Sequence, residues 1–192
     1  LWNSIKVGVI ASIISTFIAL FAAKAFTRYK VRFRGLSYGA ILLPFIIPEI
    51  IIAVAFIVIW TSMGLKLGLI PITISHVLYC TPFCLLILIS RMEGFDKSLE
   101  EASMDLGENA FGTFWRITFP LLLPGIVASL LLSFVISFDE FILAFFLSSS
   151  DQTLPIYMWS QLRFPKKLPH VLALGAIIIV ATSFIVMLSY WF

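Results

Sequence analysis

Residues 98–120 read SLEEASMDLGENAFGTFWRITFP and form the longest polar interruption in an otherwise apolar chain. Ser98 followed three residues later by Glu101 has the form of a capping box, in which each side chain satisfies a free N–H of the first helical turn. The pattern predicts a helix over Leu99 to Leu106, ended by Gly107, where a left-handed residue is cheapest for glycine. A second short helix is expected to follow, with Phe111, Phe114, Trp115 and Thr118 on one face. Pro120 is expected to close it and open the next apolar segment.

What lies on either side of this stretch decides the class of fold. Hydrophobic residues make up 61% of the 192, and Asp, Glu, Lys and Arg together only 12%, against roughly 45–50% and 25% in soluble domains. Mean hydropathy is +1.09. Such a chain has too few polar residues to cover a soluble surface, so the expectation is an all-α polytopic membrane protein. A hydrocarbon core of about 30 Å needs roughly 20 helical residues, and five segments qualify: Val7 to Phe26, Ser37 to Thr61, Pro71 to Ser90, Leu121 to Leu147 and about Val171 to Phe192. Along the first, Gly8, Ser12, Thr16, Ala19 and Ala23 recur every three or four residues, a small-residue stripe that lets another helix approach closely. The stretch between the last two spans is too polar and proline-rich to cross, and places Tyr157 and Trp159 at an interface.

Charge gives the orientation. Arg28, Lys30, Arg32 and Arg34 follow the first span with no acid among them, which marks the cytoplasmic side. Alternation then puts Ser62 to Ile70 outside, Arg91 to Phe119 inside and Leu147 to Leu168 outside. The inside segments hold eight Lys or Arg and the outside ones five of the 13. The basic run is pinned between two spans, which excludes a nucleic-acid surface. Cys80 and Cys84 both lie in an apolar run and say nothing of redox compartment. No cleavable signal peptide is visible.

Three acids fall within the expected spans: Glu49, close to Pro44 and Pro48, and the adjacent Asp139 and Glu140. A carboxylate at the bilayer centre costs about 2.5–3.5 kcal/mol on insertion scales, so such groups face a cavity or a partner. Neighbouring helical positions diverge by about 100°, so one of Asp139 and Glu140 is expected to face a path and the other to pair with a helix. The alternative is that all three are structural. His76, Cys80 and Cys84 share a helical spacing of four, but Pro82 is expected to disturb that face and no acid or second His is near in sequence, so no metal is assigned. Gly107 and Gly112 have the spacing of a phosphate-binding loop, yet Thr113 and Phe114 stand where Lys and Ser or Thr are required. No catalytic constellation is present, and the chain is not expected to be an enzyme.

The 98–120 stretch resembles the cytoplasmic signature of the permease subunits of bacterial ABC importers: Glu-Ala-Ala, three residues, Gly, nine residues, Ile, one residue, Leu-Pro. Glu101, Ala102, Gly107, Ile117 and Pro120 stand at those spacings, with Ser103 in place of the second Ala and Phe119 in place of Leu. Beyond this loop, Pro48-Glu49-Ile50, Ser75-His76, Ser137-Phe138-Asp139-Glu140 and Thr153-Leu154-Pro155 look similar to the spermidine/putrescine-type permeases. The resemblance implies one transmembrane domain over 1–192 in a MetI-like permease architecture, with 98–120 as its coupling loop and a further helix upstream. It also implies a multi-pass inner-membrane location. The coupling residues would be Glu101, Ala102, Ser103, Gly107, Ile117 and Pro120, and the candidate translocation path Glu49, Asp139 and Glu140. The partners implied are ABC ATPase subunits, which bind the ATP and Mg that this chain does not, a second permease subunit and a solute-binding protein. The cargo implied is a small solute, a polyamine or related cation. Two rivals remain: an ion-coupled secondary carrier using the acids as a relay, and a membrane enzyme with a metal on the His76 face.

Overall fold

The structure, a computed structural model, describes residues 1–189. Among these there is no strand. The helices are α1 (Trp2–Arg28), α2 (Arg34–Ile46), α3 (Glu49–Ser62), α4 (Leu69–Glu93), α5 (Ser98–Asp105), α6 (Ala110–Thr113), α7 (Phe119–Asp139), α8 (Ile142–Leu147), α9 (Leu154–Gln161) and α10 (Leu168–Ser189). A π-helical turn, Phe114–Thr118, joins α6 to α7, and a 3-10 turn, Pro165–Lys167, precedes α10.

The centre is a bundle of α1, α4 and α7. The small-residue stripe of α1 is buried from Gly8 through Ser12, Thr16, Ala19 and Ala23. A methyl built on Gly8 would lie 3.0 Å from the Phe134 ring of α7, so glycine sets that approach. Toward one end, Ala19, Leu20, Ala23 and Phe26 pack on Cys84, Leu85, Leu88 and Met92 of α4 and on Phe114 and Leu122. At the other end Val7 joins Ile72, Ala144, Leu147 and Ile156. There Ser4 Oγ accepts from Leu154 N at 2.7 Å and Asn3 Nδ2 donates to the Gln152 carbonyl at 3.1 Å, tying the start of α1 to the α8–α9 connection.

Among the described residues four elements are long and apolar enough to span: Trp2–Arg28, Leu69–Glu93, the continuous Ala110–Asp139 and Pro165–Ser189. The expected second span is corrected. It is not one helix over Ser37 to Thr61 but α2 and α3, meeting at 104°. Pro48 cannot donate to α2, and its extended backbone (φ −54°, ψ 132°) starts α3 at Glu49 instead. The fourth span is corrected as well: it stops at Asp139, and Glu140 (ψ 125°) turns the chain into the short α8. Counting the bent pair as one crossing gives five. The helix α10 leans on α7 with only Val171 buried; Tyr190 to Phe192, expected in the last span, lie outside the described residues.

Candidate functional site

The loop between α4 and α7 is built on one buried carboxylate. Glu100, in the first turn of α5, forms an ion pair with Arg28 of α1, Nε to Oε2 at 2.6 Å, with the two side chains 12% and 9% exposed. Its other oxygen accepts from Thr118 Oγ1 at 2.5 Å. Arg28 also donates to the Met92 carbonyl at 3.2 Å and lies over the Phe95 ring. One residue thus clamps α5 to the ends of α1 and α7. A second tie runs from Ser103 to Thr113, oxygen to oxygen at 3.1 Å. A small hydroxyl there does more than fill the place of an alanine, since it links α5 to α6.

Several expectations for this loop are corrected. The helix runs Ser98–Asp105 rather than Leu99 to Leu106, and Ser98 makes no side-chain cap. The cap comes from Asp96, whose carboxylate accepts the Ser98 N–H at 3.0 Å. That backbone bond, with a second from the Ser98 hydroxyl, holds the Asp96 carboxyl below its ordinary range. Glu101 is exposed, in no reciprocal box. Asn109 caps α6 by accepting Gly112 N at 2.8 Å. Phe111, Phe114, Trp115 and Thr118 do not share a face: Phe114 and Thr118 are buried, while Phe111 and Trp115 are exposed. The wider π turn accounts for this, because Phe119 N bonds back five residues to the Phe114 carbonyl. Pro120 therefore does not close a helix but rides inside a continuous one. Gly107 has φ +95°, a backbone that L side chains rarely adopt. Ala102 and Pro120 are exposed and Ile117 half-buried. Around Gly107 the loop presents Leu106 (88% exposed), Phe111 (73%), Leu99 and Met104.

Midway along the bundle, α4 and α7 run antiparallel with matched rungs. His76 Nδ1 lies 2.7 Å from Ser137 Oγ, Cys80 Sγ donates to the Ser133 carbonyl at 3.6 Å, and Cys84 Sγ to the Ser129 carbonyl at 3.8 Å. The three α4 side chains keep one buried face, so Pro82 does not disturb it as expected. Among the described residues no three His, Cys, Asp or Glu side chains group as a metal set.

The three intramembrane acids separate. Glu140 is 7% exposed and accepts Leu143 N at 2.9 Å and Ala144 N at 3.1 Å, capping α8. Its Oε2 lies 3.2 Å from His76 Nε2. Glu49 opens α3 at the other break, and Tyr79 of α4 lies within electrostatic reach of both Glu49 and Glu140. The two breaks are packed together through Ile52, Ala53 and Leu143. Asp139 turns the other way, onto a cavity of about 420 Å³ whose walls include Phe138, Phe141, Met158, Trp159 and Thr182.

Sequence reasoning missed Glu100, Arg28 and Thr118, whose partners lie far apart in the chain. It could have found the α4–α7 rungs, because Ser129, Ser133 and Ser137 repeat the spacing of four seen in His76, Cys80 and Cys84.

Spanning helices broken at acids, and a polar loop clamped to their ends, are the anatomy of a transport subunit. The chain belongs to the family of binding-protein-dependent transport system inner membrane components, which matches residues 15–192. It is therefore a multi-pass inner-membrane permease of the ABC importer type, a membrane component rather than an enzyme. Among curated proteins it is similar to the spermidine/putrescine transport system permease protein PotC of Escherichia coli, 30% identical over 188 residues, covering 97% of this chain and 71% of that one. The PotC of Haemophilus influenzae is 31% identical, covering 97% and 73%. The putrescine transport system permease protein PotI of Escherichia coli is 27% identical, covering 98% and 69%. Among solved structures, the MetNI methionine ABC transporter in inward-facing conformations superposes with a TM-score of 0.73 at 14% identity, covering 98% of this chain and 93% of that one. A bacterial ABC transporter that imports the acidic polysaccharide alginate gives 0.70 at 19%, covering 98% and 70%. These two share the fold.

Proposed function

We propose that residues 1–192 act as one transmembrane unit that forms, with a second permease subunit, the path for a polyamine or related small organic cation. The solute arrives from a binding protein outside, and ATP is hydrolysed by separate ATPase subunits that hold the nucleotide and Mg. The observation that carries the substrate class is the similarity, over nearly the whole chain, to permeases named for spermidine and putrescine. The chemistry agrees. Asp139 sits at a cavity walled by Phe138, Phe141 and Trp159, and an ammonium is attracted both by a carboxylate and by aromatic faces. Glu49 opens a broken helix, the kind of element that builds midplane sites in other transporters. Glu140 is spent on His76 and on two backbone N–H groups, so it shapes the path rather than meeting the cargo.

The loop 98–120 is the coupling element and faces the cytoplasm. Glu101, Ala102, Ser103, Gly107, Ile117 and Pro120 contribute in different ways: Ala102 and Glu101 to the contact surface, Gly107 to the turn, Ser103 to the tie onto α6, and Ile117 and Pro120 to the continuous passage into α7. Leu106 and Phe111 are the apolar tips offered to an ATPase cleft. Thrust on α5 passes through Glu100 to Arg28 and Thr118 and so reaches α1 and α7.

The test is reconstitution in liposomes with the partner permease, ATPases and binding protein, measuring ATP-driven uptake of labelled spermidine and putrescine. Uptake is expected in the parent and is expected to fall about tenfold or more in Asp139→Asn and Glu49→Gln, with the complex still assembled, on the usual scale for losing a charged contact. Uptake that persists without any ATPase would move the chain to the secondary carriers. ATP-driven uptake of another solute class, with polyamines excluded, would overturn the substrate.

A further inference from the structure

The clamp around Glu100 encloses more than an ion pair. Beside it lies a cavity of about 370 Å³ bounded by α1, α5 and the α6–α7 passage, with Lys24, Arg28, Tyr29, Lys97, Glu100 and Glu101 among its walls. Three cations therefore face two carboxylates. Glu100 is held by Arg28 and Thr118 and also lies within electrostatic reach of Lys24, and Glu101 is exposed on α5. Among the described residues neither Lys24 nor Lys97 has a carboxylate within 4.0 Å. Lys24 instead rests 4.1 Å above the ring of Phe114, itself 4% exposed. The cavity has a cationic mouth, one surplus positive charge and an apolar floor at Phe114, with the exposed Met104 at its rim.

Its depth points to the occupant. Lys24 is one helical turn inside the end of α1 at Arg28, which is about 6 Å at 1.5 Å per residue. Lys24 therefore lies in the last turns of a helix long and apolar enough to span, toward its end rather than its middle. The apolar tips Leu106 and Phe111 are exposed and do not line this cavity, whereas Glu101 and Met104, on the outer side of α5, do. Basic pockets between spans on the cytoplasmic side suit anionic headgroups. We infer that Lys24 and Lys97, with Arg28 behind them, form a site for the phosphate of an anionic phospholipid, seated against the coupling loop. The inference rests on the reading that places this end of the bundle in the cytoplasm. The lipid would complete the charge balance that Glu100 leaves open, and would become part of the joint between α1 and α5.

The experiment is native mass spectrometry of the purified transporter complex, released from mixed micelles containing phosphatidylglycerol and phosphatidylcholine. The parent is expected to retain phosphatidylglycerol in preference to phosphatidylcholine, and Lys24→Gln/Lys97→Gln to weaken that retention by about tenfold or more. Lys30→Gln/Arg34→Gln removes the same charge from exposed positions of the basic run outside the cavity and is expected to leave retention unchanged. Lys24→Arg/Lys97→Arg is expected to restore it, which separates loss of the site from loss of the fold. Equal retention in parent and Gln pair, or equal losses in the pocket and control pairs, would overturn the site. Displacement of the lipid by millimolar inorganic phosphate would reassign it to free phosphate. Retention by the permease alone but never with ATPase bound would reassign it to an acidic ATPase surface. None of these readouts depends on which solute is transported, so failure here leaves the transport proposal standing and the reverse.

Discussion

Two buried carboxylates hold this molecule's discontinuities to its three-helix core, and they do so with different partners. Glu100 ties the α5 loop to Arg28 of α1; Glu140 ties the α7–α8 break to His76 of α4. Arginine stays charged at any relevant pH, presents a rigid fork of donors and leaves the first tie no neutral state. The histidine at the second tie is held on its other side, through Nδ1, by the Ser137 hydroxyl at 2.7 Å. On the proposed coupling role, the difference follows the load each junction carries: a loop pushed by an ATPase is fastened by an ion pair whose side chains are only 9% and 12% exposed. The bend between α7 and α8 is fastened instead by a carboxylate that satisfies two backbone N–H groups and lies 3.2 Å from His76 Nε2.

The largest effect is therefore expected at the first tie. Glu100→Ala leaves the Arg28 guanidinium mostly buried without its carboxylate, and breaking such a pair costs about 3–5 kcal/mol. The expected result is a marked fall in thermal stability of the detergent-purified protein and loss of ATPase co-purification. Arg28→Met/Glu100→Met should recover much of the stability, because two apolar groups strand no charge, but not the full coupling. A double variant as unstable as Glu100→Ala would mean that the loop is held by something other than this pair.

The second tie should be weaker and graded. Glu140→Ala removes both acceptors of the α8 cap, for which about 1–2 kcal/mol is a fair scale. Glu140→Gln keeps one carbonyl oxygen for Leu143 or Ala144 and should lose about half as much. The measurement is the midpoint of thermal unfolding for parent and both variants, read at one pH. Equal losses would show that the His76 contact, and not the cap, carries the energy.

The two regions also differ in how far the amino-acid pattern reveals them. The α4 and α7 spans were legible because length and hydropathy are local, and the Gly107 turn because left-handed backbone selects glycine. The bend at Pro48-Glu49 was not. Hydropathy runs unbroken across it, and a proline in an apolar run is equally consistent with a kinked but continuous helix; the 104° bend comes with α3 packed on α8, a contact between residues distant in sequence. The cap of α5 slipped by two residues because Asp96 and Ser98 are both good capping types, and the tertiary position of Glu100 selects the register. The Arg28–Glu100 tie spans 72 positions with no periodic signature. The intramembrane acids were visible as misfits, but which one caps, which opens a helix and which lines a cavity is decided by the turn at Glu140.

Next in size is the turn that separates α5 from α6. Gly107 lies in exposed space with nothing within 4 Å of a built methyl, so a side chain there meets no neighbour and is opposed by its backbone alone. Gly107→Val should cost about 1–2 kcal/mol locally, and Ala102→Glu, on the exposed face, less. Neither touches the spans, so membrane abundance should match the parent. Substrate-stimulated ATP hydrolysis, or ATPase co-purification, should fall in both. Normal stimulation in both variants would leave the loop a mere connection and dissolve the contrast between the two ties.

The smallest effect on stability, and the sharpest on orientation, belongs to a pair of cysteine substitutions at opposite ends of the bundle. In the proposed orientation the Arg28–Glu100 end faces the cytoplasm. Arg32 and Gln152 are both exposed, and the Gln152 contact with Asn3 uses its backbone carbonyl, which any residue keeps. Arg32→Cys and Gln152→Cys should therefore cost within about 0.5 kcal/mol, as surface changes usually do. The two native cysteines are at most 1% exposed and give no labelling background. In intact cells a membrane-impermeant thiol reagent should label Gln152→Cys and spare Arg32→Cys; after permeabilisation both should react. The reverse pattern would turn the molecule over. The permanent ion pair would then stand on the outer side, where no ATPase can push on it, and the explanation of why that junction uses arginine would be lost while the geometry of both ties remained.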